Sequence, residues 1–204
     1  MNDEKGCWRE TAPTRGLTWG QDIVGDDFAN RLDALGCFGQ DVRLLEIGPG
    51  YGRVLKSMLE KCVLFDSYLG IDLSEKNIQY LRSNFGAPGI DFFIGDAEIF
   101  SHAELFDVVF SSLTFKHFHP DCKKAIANLK KLIEDDGKLV FDFWHGTDNA
   151  DMRGHWESCN CFLKPYATYE IEAILVECGF VVQSFGFVQH GDKTRDLVCA
   201  TKKG

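Results

Sequence analysis

The stretch Val42-Arg-Leu-Leu-Glu-Ile-Gly-Pro-Gly-Tyr-Gly52 decides how this chain folds. Its apolar first half ends in Glu46 and favours a buried strand, and three glycines then follow at two-residue spacing. An apolar pattern at helical spacing starts directly after Gly52. The stretch therefore predicts a strand, a tight turn and a helix. The glycines allow positive φ and leave room for a ligand beside the free N–H groups of the helix start.

An acid stands at the end of the next predicted strand. Ser67-Tyr-Leu-Gly-Ile-Asp72 places a carboxylate 20 residues after Gly52, where it can accept hydrogen bonds from a ribose diol. The dinucleotide-binding fingerprint requires a glycine three residues after Gly50, but Arg53 occupies that position. The pattern is instead Glu-x-Gly-x-Gly-x-Gly followed by an acid.

At these residues the chain resembles the class I S-adenosylmethionine-dependent methyltransferases. Leu44 to Gly52 is similar to their first motif and Asp72 to their second. Gly95-Asp96-Ala97 is similar to the third, and Ser111 to Phe118 to the fourth. The resemblance covers about residues 40–204. It implies an α/β fold with a doubly wound, mostly parallel seven-stranded sheet that ends in an antiparallel strand pair.

The resemblance also implies a cofactor, S-adenosyl-L-methionine, with S-adenosyl-L-homocysteine as the product. Asp72 would accept from the ribose, Asp96 would accept from the adenine amino group, and the next backbone N–H would donate to the ring. Glu46 would either attract the cofactor's ammonium group or tie the turn to backbone N–H groups. A glycine turn without a ligand is the alternative. The expected cofactor-binding residues are Glu46, Gly48, Pro49, Gly50, Gly52, Asp72, Leu73, Asp96, Ala97 and Ser111.

The loop after the fourth predicted strand would pass beside the transferable methyl group. Sulfonium methyl transfer is an in-line displacement, so the protein mainly has to align the reactants in a dry site. A hydroxyl or protonated amine acceptor also needs a base, and His117 and His119 are the nearest candidates. Either histidine could instead only pack or orient the loop. The candidate acceptor contacts are Trp19, Phe115, Trp156 and Tyr166.

The pattern of elements predicts one domain over residues 1–204. Residues 1–39 form an N-terminal arm and helix, and residues 40–144 form the cofactor-binding core. Residues 145–166 are polar and without period, and we expect them to form a substrate lid. A helix and two strands follow over residues 167–204. The segment 16–28 either closes the cofactor site or packs as an arm.

Composition narrows the range of partners. The formal net charge of −9 disfavours nucleic acid as a substrate, so a small-molecule acceptor is expected. No run approaches the roughly 18 apolar residues of a membrane helix. Eight scattered cysteines and an N-terminus without an apolar run favour reduced thiols and a cytoplasmic location. Cys159-Asn-Cys161, near His145 and His155, is tighter than zinc-site spacing, so no metal is expected.

Three functional hypotheses remain at this level. The first is a small-molecule methyltransferase. The second is a nicotinamide-dependent oxidoreductase, which Arg53 in the glycine position disfavours. The third is a catalytically silent partner subunit that binds S-adenosylmethionine, which the intact glycines and acids disfavour. The sequence leaves open the acceptor, the methylated atom and the oligomeric state.

Overall fold

The structure, a computed structural model, describes residues 5–13, 25–146, 152–153, 162–191 and 193–203. The helices of these residues are α1 (Gly6–Arg9), α2 (Asp26–Ala34), α3 (Arg53–Glu60), α4 (Glu75–Phe85), α5 (Lys123–Leu129) and α6 (Thr168–Glu177). The strands are β1 (Arg43–Ile47), β2 (Ser67–Asp72), β3 (Ile90–Ile94), β4 (Phe106–Ser111), β5 (Ile133–Phe143), β6 (Met152–Arg153), β7 (Phe162–Leu163), β8 (Phe180–His190) and β9 (Lys193–Lys202). Short 3₁₀ turns cover Phe115–His117 and Lys130–Leu132.

Seven strands form one sheet in the order β3-β2-β1-β4-β5-β9-β8. The pairings among β1 to β5 are parallel, and β9 runs antiparallel to both β5 and β8. The predicted fold class is confirmed. The chain moves outward from β1 to β3 and then crosses back to β4 on the other side of β1. Such a topological switch point opens a crevice at the carboxyl ends of the strands, where α/β sheets bind ligands.

Helices cover both faces of the sheet. Helices α2, α3 and α4 pack with Leu44 and Phe110 on one face, and α5 and α6 pack with Leu45 and Phe141 on the other. Neighbouring residues of one strand therefore enter opposite cores. This double burial explains why the parallel strands are continuous apolar runs rather than alternating ones.

The fifth strand starts earlier than the sequence predicts. The pattern places a helix up to Asp136 and a strand from Lys138, but α5 ends at Leu129 and β5 begins at Ile133. Ile133 is buried and pairs with Phe106, and a register shift follows before Lys138 pairs with Val108. The Asp136-Gly137 turn signal therefore marks an irregularity inside a strand, because burial of Ile133 extends the pairing across it.

The end of the 145–166 segment belongs to the core. Strands β6 and β7 pair with each other, and Phe162 and Leu163 are buried. Tyr166 is fully buried, and its hydroxyl accepts a hydrogen bond from the Cys122 N–H at 2.9 Å. The expected lid is therefore wrong for residues 162–166. Trp19, Trp156, His155, Cys159 and Cys161 lie outside the described residues.

The thiols differ in part from the expectation. Cys7 is disulfide-bonded, with a partner outside the described residues, whereas Cys37, Cys62, Cys122, Cys178 and Cys199 are free. In the part of the chain that the structure describes, no cluster of three metal-ligating side chains occurs. No described helix has the length and apolar character needed to cross a membrane.

Candidate active site

A cavity of about 220 Å³ lies at the carboxyl ends of β1, β2 and β4, at the switch point of the sheet. The glycine turn forms its floor, and the ends of β2 and β3 and the loop after β4 form its walls. The N-terminal segment, residues 5–13, contributes a further wall. The lining residues include Lys5, Trp8, Pro13, Glu46, Gly48, Pro49, Gly50, Arg53, Asp72, Leu73, Asp96, Ala97, Ser112, Leu113, Lys116, His117 and Phe118.

The three glycines of the turn all have positive φ, of 68°, 59° and 84°, as predicted. A Cβ on Gly48 would lie 2.5 Å from the Thr114 hydroxyl, and a Cβ on Gly52 would lie 2.7 Å from the Phe85 ring. A Cβ on Gly50 would meet no atom within 4 Å, because Gly50 faces the cavity. Two glycines thus permit packing of the turn, and Gly50 leaves space for a ligand.

Asp72 is held at the cavity by four donors, one of which is the Leu73 N–H. Its Oδ2 accepts from the Gly50 N–H at 3.0 Å, and its Oδ1 accepts from the Ser74 N–H at 2.9 Å and the Asn77 amide at 3.4 Å. Burial raises the pKa of Asp72, and these hydrogen bonds oppose the rise. The donors fix the carboxylate at the end of β2, where it lines the cavity.

Glu46 is almost completely buried, with 2% of its surface exposed, and it lines the cavity. The Tyr68 hydroxyl donates to its Oε2 at 2.5 Å. Burial raises the pKa of Glu46 to about 7, although Tyr68 and Arg53 oppose the rise. Among the described residues its hydrogen bond therefore comes from a side chain rather than from the backbone of the turn.

Asp96 lies at the far end of the cavity, after β3. Its Oδ2 accepts from Lys5 Nζ at 2.6 Å and its Oδ1 from the Glu98 N–H at 3.0 Å. Lys5 also reaches Glu98 Oε2 at 2.7 Å, and Lys124 approaches the same oxygen at 3.0 Å. The expected adenine-binding acid is thus tied to the N-terminal segment.

Two further contacts hold the N-terminal segment over the cavity. The Ser74 hydroxyl donates to the Thr11 carbonyl at 2.5 Å, and the Trp8 and His117 ring centroids are 4.2 Å apart. The segment that closes the cavity in the described structure is therefore residues 5–13. The sequence suggested residues 16–28 for this role, and most of those lie outside the described residues.

The two candidate histidines have different surroundings. His117 lines the cavity, and its Nδ1 lies 3.0 Å from the Phe162 carbonyl oxygen. Because a carbonyl can only accept, Nδ1 carries a proton in this arrangement. His119 is exposed and packs edge-on against the Phe162 ring, away from the cavity.

Three other predicted side chains do not line the cavity. The Ser111 hydroxyl donates to the Ile47 carbonyl at 2.8 Å, within the sheet. Phe115 is fully buried and stacks on Phe141 at 3.8 Å, and Tyr166 lies in the same core. Their aromatic and hydroxyl groups serve packing and strand geometry here rather than ligand contact.

A buried polar network beside the cavity was not predicted. Arg53 Nη2 donates to the Ser112 hydroxyl at 2.6 Å, and Nη1 lies 3.4 Å from His190 Nδ1. Ser112 Oγ and His190 Nε2 each lie 2.8 Å from Asp142 Oδ2, and the Leu113 N–H donates to Oδ1 at 2.6 Å. The sequence signals were an arginine at a glycine position and one acid, Asp142, in the apolar run 138–144. His190 is 137 residues from Arg53 and had no such signal.

Comparison with known proteins agrees with this geometry. The family described as "Methyltransferase domain" matches residues 45–141. The chain is 29% identical over 164 residues to the phthiotriol/phenolphthiotriol dimycocerosates methyltransferase of Mycobacterium leprae, covering 76% of this chain and 54% of that protein. It is 25% identical over 144 residues to the malonyl-[acyl-carrier protein] O-methyltransferase of Acetivibrio thermocellus, covering 70% of this chain and 46% of that protein.

The family match, the named relatives and the solved structures together support a class I S-adenosylmethionine-dependent methyltransferase family for this chain. It spans about half the length of the curated relatives that it matches. The fold of this methyltransferase domain is also that of an amino pentose methyltransferase from Micromonospora echinaspora solved with S-adenosylmethionine bound. The two share 17% identity with a TM-score of 0.70, over 95% of this chain and 98% of that one.

Proposed function

We propose that this chain catalyses S-adenosylmethionine-dependent methyl transfer to a small-molecule acceptor. The supporting observation is Asp72: it stands at the switch point of the sheet, fixed by the Gly50 N–H, beside the open space that Gly50 leaves. The space beside Gly50 would be partly filled by a Cβ, and the Asp72 carboxylate is fixed next to it. Together they fit a ribose that lies against the turn.

The bound cofactor supplies the electrophilic methyl group. In this proposal Asp72 accepts from the ribose hydroxyls, and Asp96 accepts from the adenine amino group. Glu46, which is buried in the cavity wall, faces the ammonium group. The N-terminal segment excludes water, which helps to align acceptor and methyl group in a dry site.

His117 is the proposed base when the acceptor has to lose a proton. It lines the cavity, and its Nδ1, 3.0 Å from the Phe162 carbonyl oxygen, orients the ring there. His119 is exposed and outside the cavity, so its role as a base has less support.

The acceptor in this proposal is a small molecule with an apolar portion. Trp8, Pro13, Leu113 and Phe118 line the cavity, and two named relatives act on a mycocerosate lipid and on malonyl-[acyl-carrier protein]. The net charge of −9 supports the expectation that nucleic acid is not the acceptor. A cytoplasmic location stays a prediction from the sequence.

Binding measurements separate the proposal from its alternatives. Calorimetry should show binding of S-adenosylhomocysteine but not of NADH. Asp72→Ala should weaken that binding about tenfold or more, because it removes hydrogen bonds to a charged group. Asp91→Ala, at an exposed position on β3, is the matched control and should bind normally. Preferred binding of NADH would favour an oxidoreductase, and binding without turnover of any acceptor would favour a silent subunit.

A further inference from the structure

The buried network at the cavity wall joins Arg53 to Asp142 through two side chains. Ser112 accepts from Arg53 and donates to Asp142. His190 makes the second bridge: its Nδ1 lies 3.4 Å from Arg53 Nη1, and its Nε2 lies 2.8 Å from Asp142 Oδ2. Both bridges end on the same carboxylate oxygen. The arrangement fixes the position of the guanidinium.

A purely structural role explains this network poorly. Burial lowers the pKa of Arg53, and Asp142 opposes that change. Burial also disfavours ionisation of Asp142, but the hydrogen bonds from His190, Leu113 and Ser112 outweigh it and its pKa lies below the usual value. Apolar side chains of similar volume often stabilise a core as well as a buried ion pair does. A charged pair held beside a cavity is therefore a candidate for ligand recognition.

Three acids of the cavity wall follow the strand order. From β3 through β2 to β1 the wall carries Asp96, Asp72 and Glu46, and Arg53, at the start of α3, contacts Ser112 directly after β4. Lys5 and Lys116 also line the cavity. The proposed function places adenine at Asp96 and ribose at Asp72. The amino-acid end of the same ligand then lies between Glu46 and Arg53.

Glu46 and Arg53 are close enough to influence each other. Arg53 lowers the pKa of Glu46, against the larger effect of burial, and Glu46 raises the pKa of Arg53 in the same way. An α-amino acid carries an ammonium and a carboxylate on one carbon. One acid and one guanidinium lining the same cavity are complementary to that zwitterion, and the planar guanidinium suits a carboxylate in particular.

We propose that Arg53 binds the carboxylate at the amino-acid end of the cofactor and that Ser112, Asp142 and His190 are positioning residues that hold it there. This inference rests on the proposed function. The inference adds a cationic contact to the three acids that the sequence indicates. It also gives a role to Asp142 of β5 and His190 of β8, which the sequence motifs do not cover.

Three ligands test the carboxylate contact on the wild-type chain. S-adenosylhomocysteine has both the ammonium and the carboxylate, S-adenosyl-3-thiopropylamine lacks only the carboxylate, and 5′-methylthioadenosine lacks both. Calorimetry should show that loss of the carboxylate weakens binding about tenfold or more, as expected for a charge-assisted hydrogen bond. Equal affinity of the first two ligands would overturn the proposal without any variant.

Substitutions then locate the contact. In Arg53→Gln the affinity ratio of S-adenosylhomocysteine to S-adenosyl-3-thiopropylamine should fall to about one, whereas binding of 5′-methylthioadenosine should be unchanged. Arg31→Gln, an exposed arginine of α2, is the control and should keep the wild-type ratio. A ratio that stays at the wild-type value in Arg53→Gln would show that the carboxylate is bound elsewhere.

The positioning role has its own readout. His190→Phe removes both bonds of the second bridge and should lower the same ratio, whereas His190→Gln can still accept and donate and should restore much of it. If both variants lose affinity for all three ligands alike, His190 only supports the fold. If the wild-type chain keeps its thermal unfolding transition but binds none of the ligands, the proposed function fails rather than this inference.

Discussion

At the scale of single residues, the same amino acid has different roles within one turn. Gly50 leaves its Cβ space open to the cavity, whereas Gly52 faces the Phe85 and Leu81 side chains. Both have positive φ, so replacing either glycine with another residue would strain the backbone. A substitution at Gly50 should nevertheless mainly affect ligand binding, whereas a substitution at Gly52 should mainly affect stability.

The prediction for the turn compares two alanine variants. Gly50→Ala should cost about 1 kcal/mol of stability through positive-φ strain and should weaken S-adenosylhomocysteine binding, because its Cβ projects into the ligand space. Gly52→Ala should be the more destabilised of the two, since its Cβ would lie 2.7 Å from the Phe85 ring and 2.9 Å from Leu81. Thermal unfolding and calorimetry measure both. Normal ligand affinity in Gly50→Val, the larger substitution, would contradict the assignment of the turn.

Glu46 predicts a pH dependence of stability. Its pKa rises from 4.5 to about 7 on folding, so between these values the folded chain holds a proton that the unfolded chain has released. The contribution of Glu46 to the free energy of unfolding is full below pH 4.5. It is lost as the pH rises through about 7, which is a change of about 3 kcal/mol. Glu46→Gln cannot titrate and should gain stability relative to wild type between pH 5 and pH 8 in denaturant unfolding.

The control for this prediction is Glu60→Gln, which changes an exposed carboxylate at the end of α3. Its stability difference from wild type should stay constant over the same pH range. If the stability difference between Glu46→Gln and wild type is also constant, Glu46 is ionised over the whole pH range. Water would then reach its carboxylate more than its buried position indicates.

At the scale of elements, the N-terminal segment carries the disulfide-bonded Cys7 and is otherwise attached to the domain mainly by polar contacts. Helix α1 has no buried residue, and the segment is held by Lys5 on Asp96 and Glu98, by the Thr11 carbonyl on Ser74 and by Trp8 on His117. These side-chain contacts can break without disturbing the two cores, and with Cys7 reduced the segment can open. Opening it would expose the adenine end and the methyl end of the cavity together.

We expect the double variant Lys5→Ala/Trp8→Ala to unfold at nearly the wild-type temperature. Its dissociation of S-adenosylhomocysteine in stopped-flow or surface-binding experiments should be faster, because the segment no longer closes the cavity. Lys56→Ala, on the exposed side of α3, should dissociate at the wild-type rate. An unchanged rate in the double variant would show that residues 5–13 cover the cavity without retaining the ligand.

At the scale of the whole molecule, the proposed ligand site lies where the two halves of the sheet diverge from β1. Asp72 and Asp96 come from the half built by β2 and β3, and Ser112 and Asp142 come from β4 and β5. A ligand that contacts both halves binds only the folded chain. Its binding free energy therefore adds to the free energy of unfolding.

This linkage gives a test that needs no acceptor. S-adenosylhomocysteine at about 100 times its Kd should stabilise the chain by about 2.7 kcal/mol and raise its Tm accordingly. NADH at the same concentration should leave the Tm unchanged, and Asp72→Ala should need a higher concentration of S-adenosylhomocysteine for the same shift. A Tm that rises with NADH instead would contradict the proposed cofactor.

The sequence alone determined the fold class and the cofactor end of the site. The decisive pattern is local: a strand, a glycine turn and a helix, followed by an acid at the end of the next strand. In this pattern backbone geometry or hydrogen bonding requires each residue type. Gly48, Gly50, Gly52 and Asp72 could therefore be predicted; Gly48, Gly50 and Asp72 line one cavity, and Gly52 packs the turn against α4. The order of the strands followed from the resemblance and from the βα alternation.

Only the tertiary structure decided which side chains of the second half face the cavity. Ser111 and Ser112 are neighbours, yet Ser111 bonds within the sheet and Ser112 contacts Arg53, because alternate residues of a strand point to opposite sides. Tyr166 and Phe115 are aromatic residues near a site in sequence but are buried in the core. His190 meets Asp142 and Arg53 because β8 and β9 fold back antiparallel beside β5, a long-range pairing that no local pattern encodes.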